Sequence, residues 1–137
     1  MKTLFSATLL SLFVLLSSFN TVSAEEAPAE EKMSLLIKMV NSADKNDWQT
    51  LNKAAMFCIN WNADLELAKQ WIEASIQISD NPEAYELMGD YYLRTGNLRK
   101  AYGYYLTSLE KGLFSLNRED LIRIQRKNVT FGRMLMD

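Results

Sequence analysis

Few residues in this sequence of 137 could do acid–base or nucleophilic chemistry, and none of them is a histidine. The absence of histidine removes the usual general base at neutral pH, the Ser-His and Cys-His arrangements, and most zinc sites. Carboxylates remain as candidates for an acid–base pair, but no two of them stand out by their spacing. The sequence therefore predicts a protein that is not an enzyme and that needs no metal and no cofactor.

Cys58 is the single cysteine of the chain. It falls on the apolar stripe of a predicted helix, and this position favours a buried small side chain over a reactive thiol. A small exported domain that depends on disulfides carries an even set of cysteines. We therefore expect this fold to be held together by its core alone.

Six tyrosines lie in the C-terminal half of the chain: Tyr85, Tyr91, Tyr92, Tyr102, Tyr104 and Tyr105. Such a group of rings can stack on sugars or bases, and the alternative is ordinary packing at the seams between helices. Core positions of the helices predicted below account for Tyr85, Tyr92 and Tyr105. The other three remain as candidates for a stacking surface.

Residues 1–24 have the layout of a secretory signal peptide. Lys2 provides a basic start, residues 4–16 an apolar segment, and Val22-Ser23-Ala24 a cleavage site with small residues. An uncleaved membrane anchor is the alternative, but the apolar run is shorter than the roughly 20 residues that a spanning helix needs. The sequence predicts an exported protein, periplasmic or secreted, with no integral membrane segment after signal cleavage.

The mature chain begins with an acidic, proline-containing segment, residues 25–32, which predicts a flexible leader. Residues 33–137 are the length of one small domain, and their apolar periodicity predicts an all-α fold of about six helices. The predicted helices cover Met33–Ala43, Trp48–Asn60, a third that follows an Asp64 cap and ends near Ile78, Glu83–Arg94, Leu98–Lys111, and a sixth that starts after Asn117.

The second and third predicted helices repeat the pattern of the fourth and fifth. Leu51, Ala54, Ala55 and Cys58 lie 34 positions before Tyr85, Met88, Gly89 and Tyr92, and Ala68, Ile72 and Ser75 lie 33 positions before Ala101, Tyr105 and Ser108. The repeat predicts two similar helical hairpins. Small residues should meet at the helix crossings, Gly89 against Ala101 and Ala55 against Ala68.

The second hairpin resembles a tetratricopeptide (TPR) repeat. Tyr85, Met88, Gly89 and Tyr92 match W-x2-L-G-x2-Y with two substitutions, Ala101 and Tyr105 match A-x3-F with one, and Leu113 stands in the place of the closing Pro. The resemblance implies a helical-repeat solenoid of two TPR-like hairpins, over residues 33–137, with a flanking helix at each end. It also implies a function in binding other proteins.

A second resemblance covers the segment from Trp48 to Ile76. It is similar to the helical tail of a group of uncharacterised exported bacterial proteins. This likeness supports export and helical repeats, and it implies no chemistry.

In TPR proteins the first helix of each repeat lines a concave groove that binds a protein or peptide. Carried over residue by residue, the groove positions are Gln49, Asn52, Met56, Ile59 and Asn60 in the first repeat and Glu83, Glu86, Asp90, Leu93 and Arg94 in the second. The amides would hold a peptide backbone, and the carboxylates, expected to be exposed, would favour a basic ligand. The alternative is a set of solvated helix faces.

Acidic residues outnumber basic ones up to Leu93, and the balance reverses from Arg94 onward. The basic face of the sixth helix, Arg118, Arg123 and Arg126, is either solvated or bound to an acidic partner surface, and export argues against nucleic acid. The sequence predicts a protein-interaction module, an adaptor or subunit of a periplasmic or cell-surface assembly. The alternative is a self-associating homo-oligomer in which acidic front halves meet basic back halves.

Overall fold

The structure is a computed structural model that describes residues 29–137. This part of the chain is all-helical, with α1 (Ala29–Ser42), α2 (Trp48–Asn60), α3 (Leu65–Ile78), α4 (Pro82–Arg94), α5 (Leu98–Gly112) and α6 (Arg118–Met134). The predicted all-α fold is confirmed. The predicted signal peptide and the first four residues of the predicted leader lie outside the described residues.

A carboxylate or amide side chain caps the start of each helix from α2 to α6 by accepting a hydrogen bond from a backbone N–H three residues on: Asp47, Asp64, Asn81, Asn97 and Asn117. Such caps satisfy N–H groups that have no partner within the helix. The first helix differs from its prediction, since α1 starts at Ala29 rather than at Met33. Residues 29–32 of the predicted flexible leader are therefore helical.

The internal repeat is visible in the turns of the two hairpins, α2–α3 and α4–α5. Asn62 and Gly96 occupy equivalent positions, and both have a positive φ, of 50° and 84°. The residue after each one donates a backbone hydrogen bond to the helix that is ending, Ala63 to Cys58 and Asn97 to Tyr92. A left-handed residue closes a helix in this way at little cost when it is Asn or Gly.

A buried serine ties the second helix of each hairpin to the start of the first. Ser75 Oγ donates to the Trp48 carbonyl oxygen at 3.4 Å, and Ser108 Oγ donates to the Pro82 carbonyl oxygen at 2.7 Å. Both serines are fully buried. The two hairpins therefore make the same side-chain hydrogen bond at equivalent positions, in agreement with the sequence repeat.

The close contact beneath α4 differs from its prediction. A side chain at Gly89 would place its first carbon 2.6 Å from Cδ1 of Tyr105, so the tyrosine ring, and not Ala101, lies nearest to the glycine. The ring of Tyr105, which is fully buried, extends from the next turn of α5 across the site. The predicted pair Ala55 and Ala68 are also both fully buried.

The helices stack in chain order, which is the arrangement of a helical repeat. The helices of each hairpin pack on each other, α3 packs on α4, α2 also touches α4, and α1 and α6 cover α2 and α5 respectively. Ile124 of α6 is fully buried, and Asn128 donates to the Tyr105 carbonyl oxygen at 2.9 Å. Because α2 and α4 lie side by side, their exposed faces form one surface, and α6 borders it.

Candidate functional site

The candidate site is a groove of about 500 Å³ that residues of α2, α4 and α6 line. These residues are Asn52, Lys53, Met56 and Asn60 from α2, Glu83, Glu86, Leu87 and Asp90 from α4, and Arg123 and Lys127 from α6. The first helices of both hairpins thus face one concave surface, as the sequence predicts.

Six of the ten predicted groove residues line this surface, and four do not. Gln49, Ile59, Leu93 and Arg94 are the four outside it. Ile59 is 4% exposed and belongs to the core. Arg94 donates from its guanidinium group to the Ile59 carbonyl oxygen at 3.1 Å, so it joins α4 to α2 instead of facing a ligand.

Glu86 is the centre of an ion-pair cluster between α4 and α6. Its carboxylate accepts two hydrogen bonds from Arg123, at 2.9 Å and 2.8 Å, and lies 2.8 Å from Lys127 Nζ. Burial raises the pKa of Glu86, but the hydrogen bonds and charges of Arg123 and Lys127 outweigh burial, so the pKa lies below its ordinary value. Glu86 is therefore charged at neutral pH.

The predicted exposure of Glu86 is wrong, since the residue is only 6% exposed. The physical reason is that α6 supplies the compensating charges of Arg123 and Lys127, 37 and 41 residues away in the sequence, and these allow the carboxylate to be buried. The expectation that Glu86 offers a free negative charge to a basic ligand fails for the same reason.

Asp90, one turn further along α4, is also held from within the molecule. It lies 2.7 Å from Lys127 Nζ and accepts a hydrogen bond from the Tyr105 hydroxyl at 2.6 Å. Burial and the nearby Asp90 raise the pKa of Tyr105, which keeps its hydroxyl protonated. Lys127 also lies over the Tyr105 ring, 5.2 Å from its centre. Two of the three carboxylates that α4 contributes to the groove, Glu86 and Asp90, thus have their charges satisfied within the molecule.

The α2 half of the groove differs, because its side chains remain open. Met56 is 38% exposed, and Lys53 and Asn60 are exposed as well. At the base, Asn52 is 8% exposed and donates to Asn81 Oδ1 at 2.9 Å, while its own amide oxygen has no hydrogen-bond partner among the described residues. This half can offer an apolar thioether, amide groups and one positive charge to a ligand.

The predicted basic face of α6 is present in the structure. Arg118, Arg123 and Arg126 line one shallow pocket of about 520 Å³ together with Glu119 and Ile122. Arg123 differs from the other two because it pairs with Glu86 of α4 and with Asp120 of its own helix. Arg118 and Arg126 are exposed, so they are the two arginines of this face that remain open to a partner.

The tyrosines form an aromatic row along α4 and α5 instead of an open stacking surface. Tyr104 stacks between Tyr85 and Tyr92, with ring centres 6.5 Å and 5.4 Å away. Lys111 lies over the Tyr85 ring at 5.1 Å, and Lys100 lies over the Tyr92 ring at 5.0 Å. These contacts occupy the ring faces that a sugar or base would need.

Tyr91, a candidate for the stacking surface, is 6% exposed. Its hydroxyl donates to Glu66 at 2.7 Å, and this hydrogen bond is the main reason that the pKa of Tyr91 rises to about 12. Tyr102, another candidate, is partly buried against Gly132 of α6. Packing, the alternative to a stacking surface, therefore accounts for both.

Between residues 29 and 137, no three side chains of the His, Cys, Asp or Glu type are grouped so that they could hold a metal ion. No helix in the same part of the chain is both long enough and apolar enough to cross a membrane. Comparison of the chain with protein-family models, with curated proteins and with solved structures finds no match.

Proposed function

We propose that this protein is an exported, TPR-like protein-interaction module, an adaptor or subunit of a periplasmic or cell-surface assembly, that binds a peptide segment of its partner in the α2 half of the groove. The observation that carries the proposal is the contrast within the groove. In the α4 half, α6 pairs the charges of Glu86 and Asp90, whereas Lys53, Met56 and Asn60 of α2 stay exposed beside them.

The chemistry of this half suits an extended peptide. Asn60 can donate to and accept from a peptide backbone, and Met56 offers a flexible apolar contact for a side chain. Lys53 favours a carboxylate on the ligand, so the preferred peptide is neutral to acidic, where the sequence alone suggested a basic ligand. No enzymatic step and no cofactor form part of the proposal.

Export rests on the sequence of residues 1–24 and has its own test. We expect the mature chain to begin at Glu25, and N-terminal sequencing of the protein purified from its native host measures this directly. A mature chain that still begins at Met1 would contradict export through a cleaved signal.

The binding site is tested by photo-crosslinking in the native host. A benzoylphenylalanine residue placed at Met56 should form an adduct with a second protein. The same residue placed at Leu106 of α5 should form none, because Leu106 is a matched control: it is 37% exposed, against 38% for Met56, and lies away from the groove. No adduct at Met56, or equal adducts at both positions, would contradict the proposal.

Self-association is the second candidate, and the structure contains less to favour it. Several cations of the basic back half pair with acids of the front half within one molecule, Arg123 with Glu86 and Lys111 with Asp80 among them. These intramolecular pairs reduce the charge that is left for contacts between copies. Light scattering across a salt series tests the candidate, since association driven by charge weakens as salt rises.

A further inference from the structure

A second surface lies on the exposed side of α6, next to the cations that face the groove. Arg118, Ile122, Arg126, Val129 and Arg133 follow one another at spacings of three and four residues. Such spacing places all five on one face of a helix. We call this face the outer stripe. Its arginines are exposed, and Ile122 and Val129 keep 43% and 53% of their surface in contact with solvent.

The outer stripe adjoins the ion pairs of α6, since Arg118, Ile122 and Arg126 line one pocket with Arg123. Arg123 and Lys127 point to α4 and are held by Glu86 and Asp90. The stripe itself carries three positive charges and no negative one. Glu119 and Asp120 lie at its N-terminal end, and Asp137 lies four residues after Arg133 at the other end. Asp120 already pairs with Arg123, and the ion pairs among residues 29–137 include none to the three arginines of the stripe.

The position of α6 in the stack indicates what the stripe can receive. Among the described helices, α6 packs on α5 and reaches α4 through its cations, and it is the last helix of the stack. A helical array grows by adding a helix on such a face, and an array that ends there usually presents a polar outer surface. Here two aliphatic side chains lie between the arginines, so the stripe offers a partner both charged and apolar contacts.

We propose that the outer stripe docks an amphipathic helix of a partner protein whose contact face alternates carboxylates with apolar side chains. This inference rests on the proposed function as a protein-interaction module, but it assigns a different surface from the groove. The arginines recur at about 12 Å and about 10 Å along the helix axis, so the carboxylates of the partner must recur about every two turns. Apolar residues between them would cover Ile122 and Val129.

An anionic membrane is the other class of ligand for a basic helix, and the arrangement favours it less. Helices that bind at a membrane interface carry a wide apolar face, separate from their cations. On the outer stripe the two aliphatic side chains stand between arginines in a single row. A row this narrow fits contact with a single helix. Binding to a membrane is therefore treated as one possible result of the test below.

The test uses two designed helical peptides of identical composition. One peptide places Glu every seven to eight residues with Leu between them on a single face, and the other distributes the same residues around the helix. Fluorescence anisotropy measures their binding to the full mature protein. We expect the patterned peptide to bind about tenfold tighter than the distributed one, equivalent to about 1.4 kcal/mol. If the two peptides bind equally well, the stripe recognises only negative charge and not its pattern, and the proposal is overturned.

Variants then locate the binding surface. The triple variant Arg118→Glu, Arg126→Glu, Arg133→Glu should weaken binding of the patterned peptide by about tenfold or more. A control with the same change in net charge, Lys38→Glu, Lys45→Glu, Arg99→Glu, replaces three exposed cations elsewhere and should weaken binding by much less. Equal losses from the two variants would contradict the proposal. All six side chains are exposed, so thermal unfolding should confirm that both variants fold.

Two further arms separate the alternatives. In the first arm, vesicles of phosphatidylglycerol are mixed with the wild type and with the triple variant. If the vesicles bind only the wild type, and the wild type binds both peptides equally, the stripe is a lipid-binding surface and the proposal is overturned. The groove variant Met56→Lys should still bind the patterned peptide, and the triple variant should still form the Met56 crosslink. A failure of the outer stripe is thereby distinguished from a failure of the groove.

Discussion

The two hairpins share one backbone design but differ at equivalent positions on the groove. Asn52 and Met56 of the first hairpin correspond to Glu86 and Asp90 of the second. Asn52 and Glu86 are both buried, at 8% and 6% exposed. The buried amide of Asn52 is neutral and needs no compensating charge, whereas the buried carboxylate of Glu86 requires the cations of α6. The comparison teaches that α6 completes the second hairpin and leaves the first one open to a ligand.

A second difference lies beneath the groove. Ala55 and Ile72 in the first hairpin correspond to Gly89 and Tyr105 in the second, and all four are buried. The larger ring in the second hairpin requires a residue without a side chain opposite it. The two pairs therefore fill equivalent core sites in different ways. The first hairpin combines alanine with isoleucine, and the second combines glycine with the larger tyrosine, so that both sites stay densely packed.

The largest expected effect comes from reversing the buried charge of the second hairpin. Glu86→Lys would place a third cation against Arg123 and Lys127, and we expect it to lower the free energy of unfolding by on the order of 3 kcal/mol. This is the low end for breaking a buried ion pair, because Arg123 is 45% exposed and water screens it. Glu83→Lys, at a partly exposed position of the same groove in the first turn of α4, should lower it by only about 1 kcal/mol, because it reverses a charge that the helix N-terminus favours. Chemical denaturation measures both, and equal effects would contradict the role given to α6.

The glycine of the second hairpin gives the next largest effect. Gly89→Ala should destabilise the fold by about 1–3 kcal/mol, because the added carbon meets the Tyr105 ring. Gly103→Ala is the matched control on α5, where an added carbon meets nothing within 4 Å, and it should stabilise the helix by up to about 1 kcal/mol. Thermal unfolding of the two variants should shift in opposite directions. A neutral Gly89→Ala would show that the ring moves aside freely.

The buried hydrogen bonds of Ser75 and Ser108 test the feature that the two hairpins have in common. Ser108→Ala and Ser75→Ala should each cost about 1 kcal/mol. Ser108 donates one hydrogen bond of 2.7 Å, whereas Ser75 donates a longer one of 3.4 Å and also accepts one from Asn81 Nδ2 at 3.1 Å. Ser115→Ala, at an exposed serine, serves as the control. A loss from either variant that is no larger than the loss from Ser115→Ala would contradict the role given to these hydrogen bonds.

The smallest effect is a dependence on pH. The folded-state pKa of Glu86 lies below its ordinary value of 4.5, so its contribution to stability is present above that pH and is lost as the pH falls through the lower, folded value. Glu86→Gln should remove this contribution, and the gap in unfolding free energy between wild type and variant should narrow under acid. A gap that stays constant from pH 7 down to pH 3 would show that Glu86 is not held by its cations.

Local signals predicted much of this fold. The caps Asp47, Asp64 and Asn117, the helix periods and the repeat of 33 or 34 positions all act within a few turns, or within one hairpin, and the structure contains them. Most of the predicted groove positions also line one surface, because helical periodicity fixes which residues share a face.

The charge state of the groove was not predicted, because it depends on contacts between distant segments. Glu86 and Asp90 are one turn apart, and so are Arg123 and Lys127, and the two pairs match across 37 residues. That matched spacing is the signal in the sequence that could have indicated the ion pairs. The contact between Gly89 and Tyr105 was missed for a related reason, since periodicity gives the face of a helix but not the reach of a side chain.

The most direct test of the central claim, that the first hairpin holds the open half of the groove, is the affinity of the protein for the partner that the Met56 crosslink identifies. Met56→Lys should weaken this affinity by about tenfold or more, which is about 1.4 kcal/mol, whereas the equally exposed control Leu106→Lys should leave it unchanged. If both variants bind the partner as tightly as the wild type does, the partner lies elsewhere and the account of the groove is wrong.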